Sequence, residues 1–110
     1  MGRVCPAPCE TGCYRNALED HVGINSVEHF LGEYAIQNKL KFAAPETKTG
    51  KKVAVIGGGP AGLSAAYQLA RMGHDVTIFD EHEFLGGMMR YGIPGFRTPR
   101  DVLDAEIQRI

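Results

Sequence analysis

The sequence predicts an α/β chain: a mostly helical segment followed by the first strand–helix–strand unit of a parallel sheet. Three observations carry this. A short β-branched run, Lys52-Val53-Ala54-Val55-Ile56, stops abruptly at glycine. An apolar pattern of helical period follows and ends at Gly73. A second run, Asp75-Val76-Thr77-Ile78-Phe79-Asp80, closes the unit. Strand, helix and strand in about 30 residues make a βαβ unit, with parallel strands and a right-handed crossover.

Each element has its own grounds. Residues 1–42 open on a cysteine loop and continue into a helix. Ser26 is expected to cap that helix, and Val27, Phe30, Leu31, Tyr34 and Ala35 form its buried stripe. It ends around residues 38–40. Residues 43–51 are polar, carry Pro45 and Gly50, and are expected to be a linker. Residues 52–110 hold the strand–helix–strand unit. The 52–56 run is expected to be a buried strand. Pro60 suits a first helical turn, Leu63, Ala66, Tyr67, Leu69 and Ala70 continue the helix, and Gly73 follows its end. Residues 81–97 are expected to be loop-rich. Thr98 is expected to cap a last helix, with Pro99 at its first position and Val102, Leu103, Ile107 and Ile110 on one apolar face. That face reaches the last residue, the pattern of a chain that continues.

Composition excludes several classes. The chain has 110 residues, 44% hydrophobic and 23% charged, so it is neither wholly disordered nor fibrous. A net charge of −1 gives no basic excess for nucleic acid and no patch for a membrane surface. No apolar run approaches the roughly 20 residues that span a bilayer. The first residues lack the apolar core of a signal peptide. A cytoplasmic location is the expectation.

The glycines are informative. Gly57-Gly58-Gly59-Pro60-Ala61-Gly62 matches G-x-G-x-x-G, directly after a strand and at the opening of a helix. In a Rossmann-like dinucleotide site, Gly57 allows the tight turn, Gly59 lets backbone approach a pyrophosphate, and Gly62 lets the helix pack close to the strands. The helix N-terminus offers free N–H groups to the phosphates. Asp80 stands at the end of the second strand, where its carboxylate can accept hydrogen bonds from ribose hydroxyls and would repel a 2′-phosphate. The fingerprint serves FAD and NAD(P) alike. Gly86-Gly87 would let a second piece of backbone run beside the cofactor. Glu81 and Glu83 are expected to be solvated, and His82 to be a surface histidine. Neither an acid–base pair nor a nucleophile stands out.

The three cysteines, Cys5, Cys9 and Cys13, are spaced C-x3-C-x3-C. Pro6 and Pro8 argue against a helix over residues 5–9. Closely spaced thiolates in a Pro- and Gly-studded loop suit an iron–sulfur cluster or zinc. Zinc sites normally show a second ligand pair, which is absent here. Three thiolates also fall short of the four that a cluster takes, with Glu28, His21 and His29 as local candidates for another ligand.

Taken together, these segments resemble the glutamate synthase small-subunit family of FAD- and NAD(P)H-dependent iron–sulfur oxidoreductases. The residues that carry the resemblance are Gly2-Arg3-Val4-Cys5-Pro6-Ala7-Pro8-Cys9-Glu10, Val22-Gly23-Ile24-Asn25-Ser26-Val27-Glu28, the stretch 53–80, and Leu85-Gly86-Gly87-Met88-Met89-Arg90-Tyr91-Gly92-Ile93-Pro94. The N-terminal region of dihydropyrimidine dehydrogenase and the sulfite-reductase-linked NADPH:acceptor subunits are similar.

The resemblance implies a partial helical iron–sulfur domain over 1–42 and the start of a FAD-binding Rossmann-like domain over 52–110. It implies FAD contacts from Gly57, Gly59, Pro60, Ala61 and Gly62. It adds Asp80 at the ribose, and Glu81, Gly86, Gly87, Met88, Arg90, Tyr91 and Ile93 as further cofactor-binding residues. It implies two [4Fe–4S] clusters, Cys5 and Cys9 serving one and Cys13 the other, with Glu28 matching a non-cysteine ligand position. NAD(P)H is the implied substrate in the part of the parent not included, and an electron-accepting partner subunit or domain implies a hetero-oligomer. The family's second dinucleotide fold and its earlier cysteine group are absent from these residues. Two other readings stand beside it: a non-catalytic FAD-binding electron-transfer module, and a Rossmann NAD-binding domain with a structural zinc.

Overall fold

Strands β1 (Lys52–Ile56) and β2 (Asp75–Phe79) pair in parallel in the computed structural model, which describes residues 1–110. Lys52 lies opposite Asp75 and Ile56 opposite Phe79, so both strands end at the same edge. The connecting helix α3 (Pro60–Arg71) packs on both strands. Its Leu63 and Ala66 are buried. Along each strand, covered and exposed residues alternate: Val53, Val55, Val76 and Ile78 are half-buried, while Ala54, Ile56, Thr77 and Phe79 are exposed. The expected fully buried strand is therefore corrected. Helix α3 is the main cover of the strands, and one set of side chains stays open.

Close seating of α3 depends on Gly62. A Cβ there would overlap the carbonyl oxygen of Gly57 and press on Val55. Met72 caps the end of the helix and Gly73 takes a left-handed φ of 85°. Thr49, within the expected linker, donates its backbone N–H to the Gly73 carbonyl at 2.9 Å, and Lys51 accepts from Asp75 N–H. Beyond β2 the chain forms a single turn, α4 (Met88–Tyr91), inside the stretch expected to be loop, and then α5 (Arg100–Ile107). Leu103 of α5 is buried. The expected cap at its start is corrected. Pro99 is the N-cap residue, and the Thr98 hydroxyl is buried without a hydrogen-bond partner instead of serving the helix.

The chain divides into two units, Met1–Leu40 and Lys41–Ile110. In the first, α1 (Pro8–Thr11) is one helical turn, followed by a 3₁₀ turn (Tyr14–Ala17) and the long α2 (Ile24–Gln37). The expectation of no helix here is corrected in part. Pro8 stands in the first turn of α1, where a missing N–H and a fixed φ are tolerated. Ser26 is not the cap of α2, because the helix already begins at Ile24. Glu10 does the capping from α1: its Oε1 accepts the Asn25 N–H at 2.8 Å. The segment before α1 lies on α2, with Asn25 Nδ2 donating to the Gly2 carbonyl at 2.9 Å and Arg3 Nε to Glu33 at 2.7 Å. The expected buried stripe is also corrected. Val27, Phe30, Leu31 and Tyr34 are exposed, Phe30 by 66%. Their spacing gives α2 an apolar face, but packing has to be supplied by a second surface, and α1 is too short to cover it.

Two glycine substitutions should move stability in opposite directions. Gly62→Val should lower it by about 2 kcal/mol or more, because the clash is with backbone. Gly32→Ala should raise it by about 0.5–1 kcal/mol, since nothing lies within 4 Å of an added Cβ in α2 and the unfolded chain loses freedom. Urea-unfolding midpoints of the full chain would check both, and equal midpoints for Gly62→Val and wild type would show that α3 is not seated on the Gly57 turn.

Candidate functional site

The site gathers where β1 and β2 end. Gly57 follows β1 with a positive φ of 96°, which turns the chain from strand into helix. Three segments then meet at the backbone of Gly58. Its N–H donates to Asp80 Oδ2 at 2.5 Å, and its carbonyl accepts the Gly86 N–H at 2.8 Å. The turn after β1, the acid after β2 and the second glycine pair are thereby fastened to one residue.

Gly87 completes the cradle. A Cβ on it would lie 2.7 Å from the Gly59 Cα, so the two backbones touch face to face. Gly59 differs. A Cβ there would meet no protein atom closer than 3.8 Å. The protein's own packing would admit a side chain at 59, and the space in front of it is open to a bound group. Behind that space stands the N-terminus of α3, whose first turn has no side-chain cap and contains Pro60 and Ala61, both exposed. Uncapped N–H groups and the positive end of the helix dipole suit a pyrophosphate. The residues therefore fit a dinucleotide.

Asp80 is oriented with care. Besides Gly58 N–H, it accepts the His82 N–H on Oδ1 at 2.8 Å, and His82 Nδ1 lies 3.2 Å from the same oxygen. The Gly58 N–H, then the His82 N–H, hold the carboxyl below the ordinary Asp value, against the effect of burial. Glu81 is exposed, with Oε1 3.9 Å from His82 Nδ1. The ring of His82 packs on that of Tyr91, centroids 4.6 Å apart.

The loop after Gly87 is braced from outside. Arg90, expected beside the cofactor, sends Nε to the Leu85 carbonyl at 2.6 Å and pairs with Asp104 of α5. Its guanidinium also lies over the Phe84 ring. Arg100 donates to the carbonyls of Met89 at 3.0 Å and Ile93 at 2.9 Å. Met88 is exposed and Ile93 is half-buried. The bracing role of Arg100 was not legible beforehand, because its partners are backbone carbonyls that no sequence pattern marks.

The cysteines are distributed through the first unit. Cys5 Sγ accepts the Ala7 N–H at 3.4 Å. The Cys13 thiol is held below its ordinary value by backbone N–H groups, that of Val22 first, then Arg15 and Asn16, against burial and the Glu10 charge. Such donors suit a thiolate ligand. Cys9 is exposed. Glu28 is exposed on the first turn of α2. The structure gathers no three His, Cys, Asp or Glu side chains into one metal-holding group. No helix is long and apolar enough to cross a membrane.

Comparison with known proteins agrees with this geometry. Residues 55–104 match the family model of an NAD(P)-binding Rossmann-like domain. The chain is 43% identical over 110 residues to the glutamate synthase [NADPH] small chain of Mycobacterium tuberculosis, covering 99% of this chain and 22% of that one. It is 44% identical over 110 residues to the NAD-dependent dihydropyrimidine dehydrogenase subunit PreT of Escherichia coli K12, covering 98% and 27%. The chain is a homologue of these oxidoreductase subunits. A further relative, the NADP(+)-dependent formate dehydrogenase subunit beta of Moorella thermoacetica, is 41% identical over 132 residues, covering 100% of this chain and 19% of that one. The chain thus spans about a quarter or less of the length of these relatives.

The state of Asp80 makes a pH prediction. A carboxylate whose folded pKa is lowered stabilises the folded state above its unfolded pKa and loses that contribution as pH falls through the folded value. Asp80→Asn should therefore be less stable than wild type at neutral pH. The gap should close as pH drops below the ordinary 3.8. Urea midpoints of both proteins between pH 7 and pH 2 would check it; a gap independent of pH would mean that the charge of Asp80 is not what binds the turn.

Proposed function

We propose that the chain is part of an oxidoreductase passing electrons between NAD(P)H, FAD and [4Fe–4S] clusters to a partner subunit or domain, with FAD held at the glycine cradle. The observation that carries this is Gly59: a glycine that the protein's own packing does not need, facing an uncapped helix N-terminus. The resemblance to the glutamate synthase small-subunit family supports the flavin and the clusters. The relatives named as subunits support a hetero-oligomer, and the three free thiols with no membrane helix suit a cytoplasmic protein.

When bound, FAD and the clusters supply the redox chemistry, two-electron at the flavin and one-electron at iron. The chain's residues bind and orient. Gly57, Gly59 and the N–H groups of Ala61 and Gly62 hold the pyrophosphate. Gly86 and Gly87 close the cradle from the other side. Asp80 keeps acceptor capacity toward a ribose, since a carboxylate offers about four lone-pair positions. Glu81, Met88, Tyr91 and Ile93 are the further cofactor contacts in this reading, and Arg90 acts through its brace to Asp104. In the first unit, Cys5 and Cys9 are ligands of one cluster and Cys13 of the other, with Glu28 as a carboxylate ligand. Each cluster takes four ligands, so the rest come from outside these residues.

One observation favours a second reading. The matching family model is named for NAD(P), so the cradle could hold a nicotinamide dinucleotide. The absorption spectrum of the purified full chain separates the two. Flavin bands support the first; a colourless cradle that binds NAD(P) supports the second. Gly59→Val should remove the flavin while leaving the iron content unchanged, and unaltered flavin content would reject the cradle.

The cluster assignment has its own test. Cys5→Ser and Cys9→Ser should remove one paramagnetic resonance signal and Cys13→Ser a different one. Glu28→Ala should shift the signal lost with Cys5 and leave flavin content intact. Loss of one common signal in all three cysteine variants would contradict the partition.

A further inference from the structure

We infer that His82 sets how many ribose hydroxyls Asp80 can accept, and so is a specificity-determining residue of the dinucleotide site. The inference rests on Asp80 being the ribose acid. It follows from counting lone pairs.

A carboxylate has about four acceptor positions. The Gly58 N–H takes one on Oδ2 and the His82 N–H one on Oδ1. In the tautomer that carries its proton on Nδ1, His82 Nδ1, 3.2 Å from Oδ1, takes a third. That contact is attractive only with a proton on Nδ1, since an unprotonated nitrogen would set lone pair against lone pair. One position then remains, on Oδ2. A ribose presents two neighbouring hydroxyls, and a carboxylate that receives both needs two free positions.

The imidazole is held where it blocks. Its ring lies against Tyr91, and the Tyr91 hydroxyl donates to the Phe84 carbonyl at 3.1 Å, fixing that ring in turn. The Asp80 side chain is 11% exposed whereas that of His82 is 49% exposed. The imidazole is thus the solvent-facing group above a covered carboxylate. With it in place, Asp80 accepts one hydroxyl, and either the 2′ or the 3′ group can fill the position. Without the Nδ1 proton, Asp80 accepts both.

The test uses the full chain stripped of bound nucleotide and titrated with ADP and with 2′-deoxy-ADP, which carry the adenosine end common to FAD and NAD(P). Wild type should bind the two with nearly equal affinity. His82→Phe keeps a ring against Tyr91 but has no Nδ1. It should bind ADP about tenfold more tightly than 2′-deoxy-ADP, as expected for one hydrogen bond to a charged acceptor. His82→Ala should give the same ratio, which excludes an effect of the ring alone. Equal ratios in wild type and both variants, with ADP still bound, would overturn the role of His82 and leave the site intact. Failure of wild type and variants to bind ADP at all would overturn the dinucleotide reading, and the inference with it.

Discussion

Gly58 is the joint on which the second unit depends. It lies between two strands' ends and a loop, and both of its polar groups are committed. Its N–H is held by Asp80 and its carbonyl by Gly86. A buried amide left without partners is costly, so these bonds are enforced rather than optional. They also decide what surrounds them. With Gly58 fixed, Gly57 must turn, Gly62 must lie against the Gly57 carbonyl, and Gly87 must run against Gly59. The empty space in front of Gly59 is what remains when the other contacts are made.

A similar logic governs the first unit. Glu10 receives the Asn25 N–H on one oxygen, and His21 Nε2 lies 3.3 Å from the other. One carboxylate therefore ties the turn carrying Cys9 to the start of α2 and to the segment after Cys13. The negative charge also sits at the positive end of the α2 dipole. The cysteines are thus positioned by a group that is not a thiol, in a segment too short to bury a core of its own.

What the sequence disclosed was local. β1, α3 and β2 follow from adjacent residues: a β-branched run, a helical period opened by Pro60 and closed by Gly73, and a second run. Their bounds agree with the structure to within a residue. What it concealed was nonlocal. Ser26 has the chemistry of a cap, yet Glu10, fifteen residues before Asn25, supplies it. Thr98 is a good cap in isolation, but in place its hydroxyl is buried and unpartnered. The stripe on α2 shows periodicity truly and burial falsely, since spacing states that a face is apolar and not what covers it. In the site, the glycines and Asp80 were legible from the fingerprint. The His82 contact and the bracing by Arg100 were not, because they arise from side chains meeting across folded loops.

In the proposed function the Gly58 joint builds a cradle for a flavin dinucleotide. A crystal structure of the full chain as purified tests it most directly. FAD is expected with its pyrophosphate in front of Gly59 at the N-terminus of α3 and its adenosine ribose on Asp80. Density for FAD elsewhere, with side chains of the protein filling the space before Gly59, would contradict it.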